Sequence, residues 1–314
     1  MVDQAVVFPG QGAQRPGMAL DFAEAHPEAR DALARANDAL PFDLVEVIER
    51  DEARLNLTEY TQPCILAAEV AMFAALGARY GFRPARFGGH SLGEYTALVA
   101  AGALGLEDAV RLVHLRGQLM QRAVPAGRGA MAAVIQDPLP LDAVRQAAEA
   151  CGVDLGNDNA PTQVVLSGLA EDVDRALAAL APQVEAGMRV VPLTVSAPFH
   201  SRHMAAIEGP FREALEGVRA RLDAPKAAAV TSNFLGGFHA GTAEALIDAL
   251  TRQISGTVRW RDNMAALLGA APRVVEVGPN RPLRGFFKNV GAQVQAVVDV
   301  RSAAKAFDAP QEVS

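Results

Sequence analysis

The chain has 314 residues, of which 50% are apolar and 21% are charged, and its formal net charge is −7. This length and composition predict a soluble globular protein with one large domain and a smaller one. The acidic balance argues against a general affinity for nucleic acid or acidic membranes, so an acidic partner would need a local basic patch.

The two cysteines, Cys64 and Cys151, are far apart and form no CxxC pattern. They predict buried free thiols in a reducing compartment rather than a disulfide framework or a zinc site. The N-terminus MVDQAVVFPGQG has no basic segment followed by a long apolar run, which argues against a signal peptide. No stretch approaches the roughly 18 uninterrupted apolar residues of a membrane span, so we expect a cytoplasmic protein.

The first part of the chain alternates between strand and helix signals. Pro9-Gly10-Gln11-Gly12 predicts a sharp loop after the first strand, and Pro63 suits the first turn of the helix that follows it. In chain order, the predicted elements are a buried strand over Ala5–Phe8, helical segments over Asp21–Glu49 and Cys64–Tyr80, a short strand over Phe87–His90, and helices over Leu92–Ala103 and Leu106–Ala123.

Residues 127–193 show a different order of predicted strands and helices. The predicted elements are a strand over Met131–Ile135, a helix over Leu141–Cys151, strands over Val153–Asn157 and Gln163–Ser167, a helix over Ala170–Ala181, and a strand over Met188–Leu193. Their order, β-α-β-β-α-β, is that of the ferredoxin-like unit. We therefore predict a small ferredoxin-like domain, residues 127–193, inserted into a large α/β domain made of residues 1–126 and 194–314.

The α/β pattern resumes after the predicted insertion. Strands that alternate with helices predict a mainly parallel sheet covered on both faces. The polar tail after Ala303 is expected to fray. The predicted elements here are helices over Ala205–Ala220 and Thr242–Ile254, and strands over Ala227–Val230, Arg273–Val277 and Gln293–Val300.

The pentapeptide Gly89-His90-Ser91-Leu92-Gly93 matches G-x-S-x-G, the nucleophile elbow. Ser91 would lie on a tight strand-to-helix turn, where side chains at the two glycine positions would collide with the backbone. The turn exposes the hydroxyl and places the Leu92 amide at the positive end of a helix, where it can stabilise an oxyanion. An ordinary glycine-rich turn is the alternative, and the apolar residues before the motif and the helix after it favour the elbow.

A serine hydroxyl needs a base to act as a nucleophile. We expect His200, which follows the predicted insertion, to face a cleft between the two domains, although a structural loop histidine is the alternative. No Asp or Glu between Ser91 and His200 stands out as a triad acid, so a main-chain carbonyl is considered as the group that orients the base. The other histidines fit less well: His26 and His239 lie in polar, loop-like settings, His90 points away from the serine, and His114 is predicted on a helix surface.

Arg116 lies on the apolar stripe of its predicted helix, in register with Ala109, Leu112, Val113 and Met120. A guanidinium in that position must be paired, because an unpaired buried charge is costly. From periodicity alone, an internal Asp or Glu is the favoured partner, and a carboxylate on a substrate is the alternative.

Six motifs together resemble one family, the malonyl-CoA:acyl carrier protein transacylases, which include stand-alone acyltransferases of polyketide synthesis. They appear in the order of the family and cover nearly the whole chain. The matching segments are Phe8-Pro9-Gly10-Gln11-Gly12-Ala13-Gln14, Thr61-Gln62-Pro63, Gly89-His90-Ser91-Leu92-Gly93-Glu94-Tyr95, Arg116-Gly117-Gln118-Leu119-Met120-Gln121, Asn159-Ala160-Pro161-Thr162-Gln163-Val164-Val165-Leu166-Ser167-Gly168, and Phe199-His200-Ser201.

The resemblance implies a ping-pong mechanism. His200 would take the proton of Ser91, which attacks the thioester carbonyl. The amides of Gln11 and Leu92 would hold the oxyanion, and the main-chain carbonyl of Gln253 would orient His200. The fold of the family, a hydrolase-like α/β domain with a ferredoxin-like insertion, agrees with the predicted elements.

The resemblance also implies a substrate. In the family, the arginine at the position of Arg116 clamps the free carboxylate of malonyl, which reverses the preference for an internal partner. Phe199 resembles members that select malonyl over methylmalonyl, although one methyl contact is worth only about 1–3 kcal/mol. Pro198 departs from the small residue that relatives often carry, which leaves the local backbone open. By the same resemblance, Gln62, Met120 and Asn159 are expected to bind substrate.

The implied partners are malonyl-CoA as substrate and an acyl carrier protein with its phosphopantetheine arm, with no permanently bound cofactor, no metal and a monomeric enzyme. Carrier proteins are generally acidic, so docking needs a local basic surface. The two candidates are Arg281, Arg284 and Lys288, and the pair Arg259 and Arg261 that flanks Trp260. Scattered surface charge is the alternative for each.

Other functions stay open on the sequence. A thioester hydrolase on the same scaffold would share Ser91 and His200 but would prefer uncharged acyl groups, and Arg116 argues against it. A non-catalytic subunit of a synthase complex would not need these three residues. Neither the pathway nor a preference for another carboxylated acyl group follows from the sequence.

Overall fold

A computed structural model describes residues 4–125, 127–195 and 197–308 of the chain. Ala126, at the predicted domain boundary, and Ser196, shortly before the predicted base, lie outside the described residues, as do residues 309–314. The described strands are β1 Gln4–Phe8, β2 Arg86–Gly89, β3 Gly129–Ile135, β4 Asp154–Ala160, β5 Gln163–Leu169, β6 Arg189–Pro192, β7 Thr231–Ser232, β8 Gly237–Phe238, β9 Arg273–Val277 and β10 Val294–Val297.

Helices fill most of the connections between these strands. Two short 3₁₀ segments, Arg202–Ile207 and Arg219–Arg221, flank one of them. The α-helices are α1 Leu20–Ala25, α2 Pro27–Asp38, α3 Leu44–Arg50, α4 Glu52–Leu55, α5 Thr58–Tyr80, α6 Gly93–Ala100, α7 Leu106–Ala123, α8 Leu141–Ala150, α9 Ala170–Ala179, α10 Ala181–Glu185, α11 Glu208–Val218, α12 Ala224–Ala227, α13 Ala243–Arg252, α14 Trp260–Ala270, α15 Leu283–Asn289 and α16 Val300–Phe307.

The main sheet is parallel, with strand order β10-β9-β1-β2. Successive residues of a strand point to opposite faces, and β1 shows this clearly. Val6 and Phe8 join the larger hydrophobic core with helices α2, α5 and α7, whereas Ala5 and Val7 join a second core with α14 and α15. The α/β fold with a mainly parallel sheet, covered on both faces, is therefore confirmed.

The second sheet is antiparallel, with strand order β4-β5-β3-β6. Helices α8 and α9 pack on one face of it and enclose a separate hydrophobic core. Along the chain, its elements follow the order β3-α8-β4-β5-α9-β6, with the short α10 before the last strand. A parallel β-bridge between β4 and Val258, made of two main-chain hydrogen bonds, joins this sheet to the rest of the molecule.

Helix α5 begins at Thr58, so the prediction that Pro63 lies in its first turn is wrong. A proline inside a helix leaves the carbonyl four residues earlier without its usual donor. Here that carbonyl belongs to Glu59, and it accepts a hydrogen bond from Nδ1 of His114 at 2.8 Å. His114, predicted on a helix surface, is half-buried and compensates for the proline.

The same helix, α5, is long and apolar enough to cross a membrane by length and composition alone. It is mostly buried inside the protein, where it packs against α2 and α7. Its hydropathy is therefore that of a core helix. Cys64 is buried within it, whereas Cys151 is partly exposed, so the prediction of two buried thiols is correct for the first alone.

Two predictions in the last third of the chain differ from the structure. Ala227–Val230 is not a strand: Ala227 ends helix α12, in which Pro225 lies in the first turn, and Val230 forms a single bridge to Phe87. The tail predicted to fray after Ala303 is helical as far as Phe307, where α16 ends, and residues 309–314 of the predicted tail lie outside the described residues. The ring of Phe307 lies 5.2 Å from that of Tyr80, so an aromatic contact anchors the helix.

Candidate active site

Ser91 lies in the turn between β2 and α6, with a left-handed φ of 52°. The flanking glycines are required by contact distances. A Cβ atom on Gly89 would lie 2.0 Å from the carbonyl carbon of Gly93, and one on Gly93 would lie 2.1 Å from the carbonyl oxygen of Phe8. The close approach of α6 to the end of β2 and to the end of β1 therefore excludes any side chain at these two positions.

The side chain of Ser91 faces His200, with 2.7 Å between Oγ and Nε2. Nδ1 of His200 lies 2.8 Å from the main-chain oxygen of Gln253. A carbonyl oxygen can only accept a hydrogen bond, so Nδ1 carries the proton and Nε2 is free to accept one from the serine. No carboxylate lies within ion-pair distance of His200 in the described parts of the chain.

His200 is buried, and its own φ of 56° is also left-handed. Burial lowers the pKa of this imidazole to about 3, with a further contribution from the positive charge of Arg116. The ring is therefore neutral at neutral pH, which is the protonation state that a general base requires.

Two residues that line the same small cavity as Ser91 are the candidates for an oxyanion hole. Leu92 lies at the N-terminus of α6, and Gln11 lies in the loop after β1, where its side-chain Nε2 donates to Oγ1 of Thr58 at 3.2 Å. Neither amide N–H has a protein acceptor among the described residues. Free amides at a helix N-terminus and in a facing loop can together stabilise an oxyanion beside Ser91.

Arg116 is 1% exposed and reaches the serine from α7. Its Nη1 donates to Oε1 of Gln62 at 2.9 Å, and its Nη2 donates to Oε1 of Gln253 at 2.9 Å and to Oγ of Ser91 at 3.0 Å. Within the described ranges, no carboxylate forms an ion pair with this guanidinium. The internal acidic partner that periodicity favoured is therefore absent there, and the positive charge is held only by neutral groups.

Two cavities meet at the serine. The inner one, about 40 Å³, is lined by Arg116, Gln62, Met120 and Phe199 as well as by the catalytic candidates. The outer one, about 300 Å³, is lined by residues of the second sheet, including Asn159, and by loop and helix residues that follow strands of the main sheet. The predicted substrate-binding residues are thus divided between a small inner chamber and an outer channel.

Asn159 links the second sheet to the elbow. Its Oδ1 lies 2.8 Å from Nε2 of His90, the residue before the serine. His90 points away from Ser91, as predicted, and packs against Trp260 and Phe286. Asn159 therefore lines the outer channel and also contacts the residue that precedes Ser91 in the turn.

Three buried residues of the site escaped the sequence analysis: Glu94, Asn233 and His239. Oδ1 of Asn233 accepts from the amide of Ser91 at 2.6 Å, and its Nδ2 donates to the carbonyl of Gly89 at 2.7 Å. His239 lies in a loop after β8, as predicted, but it is buried there, and its Nε2 lies 2.9 Å from Oε1 of Glu94. One signal was present: Glu94 is an acid in a helix that is otherwise uncharged.

The two candidate basic clusters differ in the structure. Arg259 pairs with Asp262, Arg261 pairs with Asp158, and the Trp260 between them is fully buried, so this cluster offers no free basic surface. In contrast, Arg281, Arg284 and Lys288 are exposed, and no ion pair holds them in the described part of the chain. They lie on and beside α15, whose Leu283 and Phe286 line the outer channel.

Comparisons with known proteins show the family to which the chain belongs. The acyl transferase domain family matches residues 5–305. The malonyl CoA-acyl carrier protein transacylase of Escherichia coli (strain K12) is 39% identical over 294 residues, covering 92% of this chain and 93% of that protein.

Solved structures are equally similar. The malonyl-CoA:acyl carrier protein transacylase of Xanthomonas oryzae pv. oryzae KACC10331 has a TM-score of 0.89 and 41% identity, with 98% of each chain covered. A malonyl-transacylase in complex with its type II PKS acyl-carrier protein has a TM-score of 0.89 and 37% identity, covering 98% of this chain and 100% of that one.

The resemblance read from six short motifs is thereby confirmed over almost the full length of the chain. The family match spans both sheets and all the candidate site residues. The chain is an acyltransferase and belongs to the malonyl CoA-acyl carrier protein transacylase family.

Proposed function

We propose that the protein transfers malonyl groups from coenzyme A to the phosphopantetheine thiol of an acyl carrier protein, through an ester on Ser91. One observation carries the choice of acyl group. Arg116 is buried 3.0 Å from the serine Oγ, and only neutral groups hold it in the described part of the chain. A buried guanidinium of this kind is best paired by a carboxylate that arrives with the substrate.

The first half-reaction forms the acyl-enzyme. Nε2 of His200 takes the proton of Ser91 while Oγ attacks the thioester carbonyl. The amides of Gln11 and Leu92 hold the negative charge that develops on the carbonyl oxygen. When the tetrahedral intermediate collapses, the carbon–sulfur bond breaks, and the imidazolium of His200 gives its proton to the departing thiolate of coenzyme A, which leaves as the thiol.

The second half-reaction reverses these roles. The phosphopantetheine thiol gives its proton to His200, and its sulfur attacks the carbonyl carbon of the malonyl ester. The same amides hold the oxyanion. The ester bond then breaks, Ser91 regains a proton from His200, and the malonyl group leaves as a new thioester.

The inner chamber fits a short acyl group with a terminal carboxylate. Gln62 and Gln253 hold the guanidinium from two sides, and Nη2 points at the nucleophile. Phe199 and Met120 close the chamber with apolar surface. A ring at the Phe199 position would crowd an α-methyl substituent, so we propose malonyl rather than methylmalonyl.

This reaction would use two domains. We propose that residues 127–193 form a ferredoxin-like domain inserted into a hydrolase-like domain of residues 1–126 and 194–314. The strand order β4-β5-β3-β6 and the two helices on one face support the ferredoxin-like assignment. The pantetheine arm would enter through the outer channel between the two domains, where Asn159 lies.

The partner would be an acyl carrier protein in the cytoplasm, met by a monomeric enzyme without a bound cofactor. The name of the Escherichia coli relative includes both coenzyme A and the carrier protein, and a solved malonyl-transacylase holds its carrier protein. The exposed cations Arg281, Arg284 and Lys288 beside the outer channel supply the basic surface that an acidic carrier would need.

The mass of the intact protein after mixing with malonyl-CoA tests the proposal. We expect a stable gain of one malonyl group in the wild type, none in Ser91→Ala, and release of the group when carrier protein with its phosphopantetheine arm is added. Free malonate released rapidly without a carrier would instead identify a thioester hydrolase. Full transfer activity in Ser91→Ala would refute the covalent mechanism.

The acyl preference is tested by Arg116→Ala. Without the guanidinium, both acyl groups lose its contact with Ser91, but malonyl also loses the group that binds its carboxylate, so acylation by malonyl-CoA should fall far more than acylation by acetyl-CoA. Rapid-quench measurement of both acylation rates gives the ratio. An unchanged malonyl-to-acetyl ratio would contradict the proposal that Arg116 binds the malonyl carboxylate.

A further inference from the structure

Glu94 is a fully buried acid in the first turn of α6, three residues after the nucleophile. Three donors surround its carboxylate. Nε2 of His239 lies 2.9 Å from Oε1, and the amide of Asn233 and Nε2 of Gln253 lie 2.9 Å and 2.7 Å from Oε2. The proposed mechanism assigns this acid no role, although Gln253 contacts it and also contacts both His200 and Arg116.

The carboxylate fixes which way the amide of Gln253 faces. Nε2 of Gln253 donates to Glu94 and also to the carbonyl of Ser91 at 3.0 Å, so the amide oxygen must face the other way. That oxygen accepts from Nη2 of Arg116 at 2.9 Å. The main-chain oxygen of the same glutamine orients His200. Gln253 therefore contacts the base and the clamp simultaneously.

The position of Glu94 also leaves the guanidinium of Arg116 free to bind a substrate carboxylate. A carboxylate in direct contact with Arg116 would occupy the N–H groups that a substrate carboxylate needs. Glu94 instead lies behind the amide of Gln253. Burial lowers the pKa of Arg116, and the negative charge of Glu94 is among the influences that oppose it. The charge of the guanidinium is thus balanced in part without blocking its free face.

We infer that Glu94, held in place by His239, is a positioning residue that acts through Gln253 on both His200 and Arg116. This inference rests on the proposed malonyl transfer through Ser91. Its distinctive consequence is coupling: a change at Glu94 should slow acylation and weaken the preference for malonyl together. An acid that served only to stabilise the fold would slow all acyl groups equally.

The direct test is Glu94→Gln, which keeps the shape and removes the charge. We expect acylation by malonyl-CoA to fall about ten- to a hundredfold, the range for loss of a charged hydrogen-bond partner, and the malonyl-to-acetyl ratio to fall severalfold. Rapid-quench mass spectrometry measures both rates. An unchanged ratio would overturn the inference.

Glu69→Gln is the matched control. Glu69 is another fully buried acid, and its Oε2 accepts from Oγ1 of Thr96 on α6 at 2.6 Å. Burial raises the pKa of Glu69 well above its usual value, and its hydrogen bond is to Thr96 rather than to Gln253, so its replacement by glutamine leaves the contacts of Gln253 in place. Both acylation rates should stay close to those of the wild type.

A double-mutant cycle separates positioning from general stability. Gln253→Leu removes the side-chain amide but keeps the main-chain carbonyl that orients His200. In that background, Glu94→Gln should cause no further loss of malonyl preference, because its route to Arg116 is already gone. Independent losses that simply add would overturn the inference. Failure of the wild type to form a malonyl ester would instead overturn the proposed function.

His239→Gln provides a second route if Glu94→Gln does not fold. This variant keeps the carboxylate but removes the ring that holds it. We expect a smaller loss of acylation rate with the same fall in the malonyl-to-acetyl ratio. A variant that folds and loads malonyl with the wild-type ratio would contradict the role of the pair.

Discussion

His200 is oriented by a peptide carbonyl, that of Gln253, 2.8 Å from Nδ1. A carbonyl fixes the tautomer and the ring, but it stabilises an imidazolium less than the carboxylate of a catalytic triad does. Thiols have pKa values of about 8–9, whereas water has a pKa of about 16. A base of this kind is therefore suited to thiol acceptors and poorly suited to the activation of water.

The lowered pKa of His200 predicts an unusual pH profile. Burial, with the charge of Arg116, lowers this pKa to about 3, so the base stays deprotonated well below neutral pH. We expect kcat/KM for acylation by malonyl-CoA to be flat between about pH 8 and about pH 5. A one-proton midpoint near pH 6.5 would contradict this prediction.

Stability should depend on pH through the same residue. The unfolded chain binds a proton at His200 below about pH 6.5, whereas the folded chain binds it only near pH 3. Between these values the unfolded state holds more protons than the folded state. The contribution of His200 to the free energy of unfolding is therefore fully present above about pH 6.5 and is lost as the pH falls.

The residues found from sequence share a property. Ser91, His200 and Arg116 stand in short motifs or on a clear helical stripe, so local patterns reveal them. Glu94 and His239 do not, because their contact joins residues 145 positions apart and exists only after folding. Gln253 was placed by family resemblance alone, and its side-chain contacts with Arg116 and Glu94 had no signal in the sequence.

At the scale of elements, the nucleophile turn depends on how closely α6 approaches β1. Gly93→Ala would place a Cβ atom 2.1 Å from the carbonyl oxygen of Phe8, so the helix must move and carry the Leu92 amide with it. We expect a loss of stability on the order of 1–3 kcal/mol and a large loss of acylation rate. Thermal unfolding and acylation kinetics measure the two effects.

Gly217→Ala is the matched control for this substitution. Gly217 is exposed in α11, and a Cβ atom there would meet nothing within 4 Å. Alanine in an open helical position stabilises by about 0.4–1 kcal/mol. Equal effects of the two substitutions would show that crowding at the turn is unimportant.

Element boundaries show where sequence patterns failed. The helix over Leu106–Ala123 was predicted correctly, because its apolar stripe is regular along its full length. Helix α5 was predicted six residues too short, because Pro63 is tolerated only through the contact of His114 with Glu59. Long-range compensation of this kind is invisible to local propensity.

At the scale of the whole molecule, the two sheets are tied together around the serine. Main-chain hydrogen bonds join β4 to Val258, Asn159 contacts His90, and Nδ2 of Asn289 donates to Thr162 at 2.8 Å. The channel between the sheets ends at Ser91. In the proposed function, a carrier protein that inserts its arm here would contact α15, whose Leu283 and Phe286 line the channel.

Charge reversal on and beside α15 tests the docking surface. Arg281→Glu with Arg284→Glu should raise KM for the acidic carrier protein and leave acylation by malonyl-CoA unchanged. Arg79→Glu is the control, because Arg79 is exposed at the end of α5, which leads to the opposite edge of the sheet. An unchanged KM for the carrier would remove α15 from the docking site.

The double use of Gln253 has a consequence for protein engineering. Its side chain hydrogen-bonds Arg116, and its main-chain carbonyl hydrogen-bonds His200. A substitution made at Gln253 to admit a new acyl group is therefore expected to lower kcat as well. The other side of the guanidinium is free of this conflict, because Gln62 contacts Arg116 and the sulfur of Met120 but not the base. Libraries aimed at a new extender unit should therefore begin at Gln62 and Met120.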